Sequence, residues 1–178
     1  MLSNYPLSEV EKAFLKESGV SAISTKIPYL TVDNFPKLGL ITACRFLEWA
    51  SENPNGVISL PTGKTPEYFI KWTKFLLDNW DTKKGKEIRD KYNLGNVKKP
   101  VLKDLTFVQI DEFYPISSSQ NNSFYHYVNK FYLEGFGLSK EKAILINSDE
   151  IPLAEGKTYK EIFPDLKVDL SLRFRDPK

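Results

Sequence analysis

Three short apolar stretches alternate with longer segments of helical pattern, and this alternation constrains the fold more than any other feature. The stretches are GVISL at 56–60, LTFVQI at 105–110 and AILIN at 143–147. Continuous apolar strands separated by helices are typical of a parallel sheet that is covered on both faces. The sequence therefore predicts an α/β fold with a Rossmann-like, parallel, three-layer arrangement and helices on both faces of the sheet.

The first two helical segments begin at capping residues. Ser8 followed by Glu11 fits a capping box that opens a helix to about Glu17, with Gly19 as its stop. A second helix is predicted between Asp33, as its cap, and about Ser51.

Later segments complete the alternating pattern. Helices are predicted from Pro66 to about Asn79, and from a Ser123 cap to about Leu133. KIPYLTV at 26–32 has the composition of a strand.

The remaining segments carry weaker signals. Residues 81–100 are charged and contain turn residues, so we expect a surface excursion that has room for one helical turn. The tail favours a helix near 158–163 and a strand near 168–172.

Length and composition place these elements in one domain. The chain has 178 residues and is 41% hydrophobic, which is enough for a buried core. We expect a single α/β domain over 1–178, with an appendage at 1–30, a core at 31–150 and an uncertain tail at 151–178.

Charge and cysteine content exclude several function classes. Lys and Arg number 25 against 23 Asp and Glu, and the basic residues are scattered, so we expect no nucleic-acid partner. Cys44 is the one cysteine, which excludes a disulfide framework and favours a buried thiol. There is no apolar run as long as a membrane span and no signal-peptide pattern. We therefore expect a soluble, cytoplasmic protein without a membrane partner.

The loop after the first strand, PTGKT at 61–65, has the composition of an anion-binding turn. A strand that leads through this loop into a helix at Pro66 presents unpaired NH groups at the positive end of the helix dipole. Gly63 lets the backbone approach a ligand, and Thr62 and Thr65 add hydroxyl donors. In the alternative interpretation, Thr65 caps the helix and Gly63 only permits a tight turn. The loop is neither a Walker loop nor a dinucleotide fingerprint.

The loop after the second strand begins with two carboxylates, Asp111 and Glu112. A carboxylate at the end of a strand can transfer protons, although it can also be solvated or cap a neighbouring NH group. Ligands of open α/β sheets bind at the carboxyl ends of the strands. An anion anchor and a base at one edge would suit a small phosphorylated substrate.

Three motifs follow one another along the chain: ISLPTGKTP at 58–66, FVQIDEFYP at 107–115 and NNSFYHYVNKFY at 121–132. Taken together, they resemble the glucosamine-6-phosphate deaminase family, within the larger group that includes the 6-phosphogluconolactonases. The order and spacing of the motifs match the amino-terminal half of that fold over most of residues 30–150. DEFYP followed by SFYHYV favours the deaminase branch. The resemblance implies an incomplete, amino-terminal part of the deaminase fold.

The resemblance also implies roles for individual residues. Thr62, Gly63 and Thr65 match the loop that holds the sugar phosphate. Asp111 matches the carboxylate that moves a proton at C2 of the sugar, and Glu112 is assigned a supporting role in catalysis. The implied reaction converts glucosamine 6-phosphate to fructose 6-phosphate and ammonia, and it needs no metal or other cofactor.

Two features depart from the family pattern. Lys64 stands where the deaminases usually have a second glycine, and it either adds a cation to the phosphate site or points into solvent. If this position needs a positive φ, lysine costs on the order of 1 kcal/mol. These residues also lack the family's later segment ending in Asp-Gly-His, and the single histidine, His126, is expected to be structural or at the surface.

The second departure leads us to expect a truncated portion of the enzyme with little turnover by itself. An exposed sheet edge in such a portion favours a homo-oligomer. Three alternatives stay open: a sugar-phosphate lactonase, a non-catalytic module that binds a phosphosugar, and an assembly piece that pairs through its sheet edge.

Overall fold

The computed structural model describes residues 6–19 and 29–165, and they form a mixed α/β fold. In chain order, its helices and strands are α1 (Glu9–Ser18), α2 (Phe35–Glu52), β1 (Val57–Ile58), α3 (Glu67–Asp78), α4 (Lys83–Lys91), β2 (Thr106–Val108), α5 (Phe124–Val128), a π-helical segment that continues α5 (Asn129–Glu134), β3 (Ala143–Ile144) and α6 (Tyr159–Ile162). Short 3₁₀ turns lie at Leu102–Asp104, Lys140–Lys142, Ser148–Glu150 and Ala154–Gly156.

The chain divides into two compact units. The first contains Met1–Gly56 and Lys64–Leu105, and the second contains Val57–Gly63 and Thr106–Lys178. The predicted single domain and its internal boundaries stay a prediction.

In the first unit, α1 begins and ends as the sequence predicts. The Ser8 side chain accepts a hydrogen bond from the Glu11 NH group at 3.1 Å, and the Glu11 carboxylate accepts one from the Ser8 NH group at 2.7 Å. Gly19 ends the helix with a φ of 65°. This capping box satisfies two NH groups that would otherwise lack a helical partner.

Helix α2 packs against both α1 and α3. Its contact with α3 is close, because a Cβ atom added to Gly39 would lie 2.4 Å from the Cβ atom of Tyr68. The rings of Phe46 and Phe69 meet edge to face, with centroids 5.7 Å apart. Cys44 lies in α2 and is buried as predicted, and this burial raises the pKa of its thiol to about 12.

The start of α2 differs from the prediction by one residue. Asn34, rather than Asp33, is the cap, and its side chain accepts a hydrogen bond from the Lys37 NH group at 2.9 Å. Residues 29–32 do not form the predicted strand, and the rest of that prediction, 26–28, lies outside the described residues.

The predicted surface excursion at 81–100 is wrong, because it contains α4 and buried side chains. Thr82 caps α4, and Arg89 lies buried at its end. The Arg89 guanidinium donates hydrogen bonds to the carbonyls of Trp80 and Leu94. Arg89 thus connects the chain before α4 to the chain after it. The charged composition of this stretch does not indicate such a buried role.

The second unit contains a parallel sheet with strand order β1–β2–β3. Ile58 pairs with Phe107, and Phe107 pairs with Ala143. Phe107 is fully buried, and its ring packs 5.7 Å from that of Tyr132 in the π-helical segment. These findings confirm the parallel α/β class.

The strands are shorter than the apolar stretches that predict them, and single hydrogen bonds continue beyond their ends. The Ser59 hydroxyl donates to the Val108 carbonyl at 2.8 Å, and the Gln109 NH group donates to the Ile144 carbonyl at 2.9 Å. On the sheet face opposite Phe107, Val57 is 65% exposed and Ile144 is 62% exposed.

The predicted helix at 123–133 is confirmed at its start and changes character within. The Ser123 side chain accepts a hydrogen bond from the His126 NH group, and α5 then widens into the π-helical segment at Asn129–Glu134. Helix α6 corresponds to the helix predicted near 158–163, whereas the strand predicted near 168–172 lies outside the described residues. Within the described part of the chain, every helix is too short or too polar to cross a membrane.

Candidate functional site

The pairing of β1 with β2 places the two predicted loops at the same edge of the sheet. Thr62 follows Ile58 by four residues, and Asp111 follows its partner Phe107 by four residues. Both loops therefore leave the carboxyl ends of neighbouring parallel strands, which run about 4.8 Å apart. This edge is where open α/β sheets bind ligands.

In the second unit, the first loop ends in a turn that only glycine adopts readily. Gly63 has a φ of 91°, and a Cβ atom built there would meet nothing within 4 Å, so the conformation rather than space requires glycine. Among the described residues, no acceptor pairs with the NH groups of Thr62 and Gly63.

Lys64 and Thr65, the last two residues of the predicted loop, belong to the first unit. Their NH groups likewise have no acceptor within residues 6–19 and 29–165. Pro66 occupies the cap position of α3 and no side chain caps this helix, so the alternative role of Thr65 as a helix cap is wrong. Lys64 is exposed and does not have a positive φ, which removes the expected backbone cost of lysine.

The second loop holds its two carboxylates in different surroundings. Asp111 is exposed, and its carbonyl accepts a hydrogen bond from the Gln109 side chain at 2.8 Å. Glu112 is half-buried and lies against the start of α5. Its carboxylate accepts hydrogen bonds from the Ser123 hydroxyl at 2.7 Å and from the NH groups of Phe124 and Tyr125 at 3.0 and 2.7 Å.

These contacts make Glu112 an anchor for α5. A carboxylate that accepts bonds from the first NH groups of a helix satisfies donors that have no helical partner. Asp111 differs from Glu112, because it is exposed to solvent at the sheet edge. Catalysis by either residue stays a prediction.

Helix α5 and its π-helical continuation also hold the first loop. The Tyr127 hydroxyl donates to the Gly63 carbonyl at 2.9 Å, and the Tyr132 hydroxyl donates to the Pro61 carbonyl. One helical element is therefore bonded to two loops. It contacts the loop that begins at Asp111 (the acidic loop) through Glu112, and it contacts the Pro61–Gly63 loop (the glycine loop) through two tyrosines.

Sequence reasoning missed Gln109 as a structural part of this edge. Gln109 is buried, its side-chain NH₂ donates to the Asp111 carbonyl at 2.8 Å, and its side-chain oxygen accepts from the Ile146 NH group at 3.0 Å. The amide thus joins the loops after β2 and β3. The available signal was a polar residue inside the apolar stretch LTFVQI.

A second set of contacts joins the same two loops. Asp149 accepts hydrogen bonds from the Ser118 NH group at 3.2 Å and the Ser118 hydroxyl at 2.5 Å. The Ser148 hydroxyl donates to the Ile116 carbonyl. These bonds fix the far end of the acidic loop, so both of its ends are held.

His126 lies half-buried within α5, and its NH group takes part in the helix cap. Within the described residues, no group of three or more His, Cys, Asp or Glu side chains is placed to hold a metal ion.

These features define a parallel α/β fold with a polar carboxyl edge, and a known structure has a similar fold. No protein-family model matches the chain, and no curated protein matches it. Among solved structures, the chain is similar to a monomeric glucosamine-6-phosphate deaminase that is described as a missing link of the NagB superfamily.

The extent of that similarity decides what it establishes. The TM-score is 0.50 with 22% sequence identity, and the match covers 66% of this chain and 42% of the deaminase chain. The chain thus spans less than half the length of that deaminase. At this identity the similarity supports the fold class alone, a Rossmann-like α/β fold with a parallel sheet.

Proposed function

We propose that this chain binds a phosphorylated sugar at the carboxyl edge of its sheet and contributes to an aldose–ketose isomerisation of the glucosamine-6-phosphate deaminase type. In this proposal, Thr62, Gly63, Lys64 and Thr65 hold the phosphate. Asp111 transfers the proton at C2 of the sugar.

The observation that carries the proposal is the linkage of the two loops within the second unit. Adjacent parallel strands direct both loops to one edge, and the helical element that starts at Phe124 is bonded to Glu112 and to the Gly63 carbonyl. Loops held by the same helix keep a fixed spacing. A base needs such a spacing to reach C2 of a sugar whose phosphate is anchored at the other loop.

The phosphate part of the proposal relies on unused donors. Backbone NH groups without acceptors can bind an anion through charge-assisted hydrogen bonds. In the second unit, the NH groups of Thr62 and Gly63 have no acceptor among the described residues, and the Thr62 hydroxyl adds a further donor.

The catalytic part relies on the Asp111 carboxylate, for which the described residues provide no hydrogen-bond or ion-pair partner. An aldose–ketose shift removes a proton from a carbon next to a carbonyl and returns it to the neighbouring carbon. A carboxylate can do both steps, provided that its oxygens are not occupied. The Asp111 carboxylate is exposed, whereas the Glu112 carboxylate is occupied by the start of α5.

Asp111→Asn tests this proposal. The unmodified chain is expected to bind glucosamine 6-phosphate but not glucosamine in calorimetric titrations. It is also expected to exchange the C2 hydrogen of the phosphorylated sugar with solvent deuterium, as followed by NMR. The variant should bind with an affinity within about twofold and lose the exchange. Equal binding of the two sugars, or undiminished exchange in the variant, would refute the proposal.

A second candidate is a phosphosugar-binding module without catalysis. The observation in its favour is that the unused NH groups of the first loop do not depend on Asp111, which itself faces solvent. A chain with this function would bind glucosamine 6-phosphate and show no C2 exchange before or after the Asp111 substitution.

A further inference from the structure

Two tyrosines of the second unit hold the glycine loop by its carbonyl oxygens. The Tyr127 hydroxyl donates to the Gly63 carbonyl, and the Tyr132 hydroxyl donates to the Pro61 carbonyl. Since both hydroxyls bond to carbonyls, the NH groups of the same loop stay available. Thr62 lies between the two carbonyls that are held.

The helix geometry explains how both tyrosines reach one loop. They are five residues apart, and residues at that spacing do not share a face of an α-helix. A π-helix closes its hydrogen bonds five residues apart, which brings such residues towards the same side. The chain is π-helical over Asn129–Glu134, and the two rings meet edge to face with centroids 5.9 Å apart.

The environment of Tyr132 keeps its hydroxyl a donor. The side chain is fully buried, and its ring packs against Phe107 and Phe136 with centroids 5.7 and 5.3 Å apart. Burial raises the pKa of this hydroxyl, so it stays protonated at neutral pH. The ring thereby attaches the loop to the core of its own unit.

We propose that Tyr127 and Tyr132 are positioning residues that hold the Pro61–Gly63 loop by its carbonyls and leave its NH groups free to bind a phosphate. The phosphate part of this inference rests on the proposed function. The holding of the loop does not, because it is a property of the unliganded chain. Neither tyrosine needs to contact a substrate.

Removal of single hydroxyl groups tests the inference. Tyr127→Phe, Tyr132→Phe and the double variant keep the rings and remove the hydroxyl groups that bond to the loop. Tyr125→Phe is a matched control, since it lies in the same helix and its hydroxyl has no hydrogen-bond partner among the described residues. Circular dichroism and urea unfolding establish that each variant is folded.

The first measurement is the ¹⁵N order parameter of Gly63. A rigid backbone gives about 0.85 and a flexible one less than about 0.6. We expect a high value in the unmodified chain and in Tyr125→Phe, with a fall towards the flexible range in the double variant. An unchanged order parameter in the double variant would overturn the inference, whether or not any sugar binds.

The second measurement is the affinity for glucosamine 6-phosphate and for inorganic phosphate. A net hydrogen bond corresponds to about a two- to tenfold change in an equilibrium constant, so each single variant should weaken both ligands by about that factor. A mobile loop with unchanged affinity would overturn the positioning role. If the unmodified chain binds neither ligand, the proposed function fails, and the order parameter still decides whether the tyrosines hold the loop.

Discussion

Two adjacent carboxylates are expected to differ in how much the stability of the fold depends on them. Glu112→Gln should destabilise the fold, whereas Asp111→Asn should leave its stability nearly unchanged. The reason is that the Glu112 carboxylate accepts three hydrogen bonds from the start of α5 and one from the Phe113 NH group at 2.9 Å. The Asp111 carboxylate is exposed.

The magnitude follows from the number and kind of these bonds. A hydrogen bond to a charged group contributes about 1.5–3 kcal/mol, and loss of a helix cap costs about 1 kcal/mol. Glutamine keeps one acceptor oxygen but turns an NH₂ group towards NH donors, and Glu112 is only half-buried, so water replaces part of the loss. We expect a fall of about 2 kcal/mol in the free energy of unfolding, which corresponds to about 4–8 °C in Tm.

Urea unfolding followed by circular dichroism measures this difference. The two variants should have the same dependence of free energy on urea, with a lower midpoint only for Glu112→Gln. If Glu112→Gln lies within about 0.5 kcal/mol of the unmodified chain, the anchoring role is refuted. Equal destabilisation by Asp111→Asn would also refute it.

Three further changes test other parts of the structure. Gly39→Ala should cost about 1–3 kcal/mol in urea unfolding because its methyl group would overlap α3, whereas Gly135→Ala, with its nearest atom at 3.4 Å, should be nearly neutral. Gln109→Leu should cost about 1–3 kcal/mol by the same assay, since two backbone groups lose their partner. The hydrogen bond from Lys37 lowers the pKa of Glu17 from 4.5 to about 2, so its contribution is complete above 4.5 and is lost as the pH falls to 2. Acid titrations of stability should therefore be flatter over this range for Glu17→Gln.

Local signals in the sequence predict the helix starts well. The capping box at Ser8 and Glu11 and the cap at Ser123 are confirmed because each involves residues within a single turn. The parallel sheet was predictable because each of its apolar stretches is also a pattern of consecutive residues. Asn34 replaces Asp33 as a cap because both side chains are capable of capping, and only the chain path selects between them.

Contacts between distant residues were not predictable in this way. The bonds from the Tyr127 hydroxyl to the Gly63 carbonyl and from the Tyr125 NH group to the Glu112 carboxylate join residues that are 64 and 13 positions apart. Arg89 lies in a charged stretch, and only the folded chain shows that its guanidinium is buried against carbonyls. Such roles depend on packing, which no local pattern determines.

In the proposed function, one bound phosphosugar lies against both the glycine loop and Asp111. This arrangement can be tested by titrating the ¹⁵N-labelled chain with glucosamine 6-phosphate and following the amide resonances of residues 59–65 and 109–113. We predict that the resonances of Thr62, Gly63 and Asp111 shift together and fit a single Kd. Shifts confined to one loop, different Kd values for the two loops, or no shifts at either loop would contradict the claim.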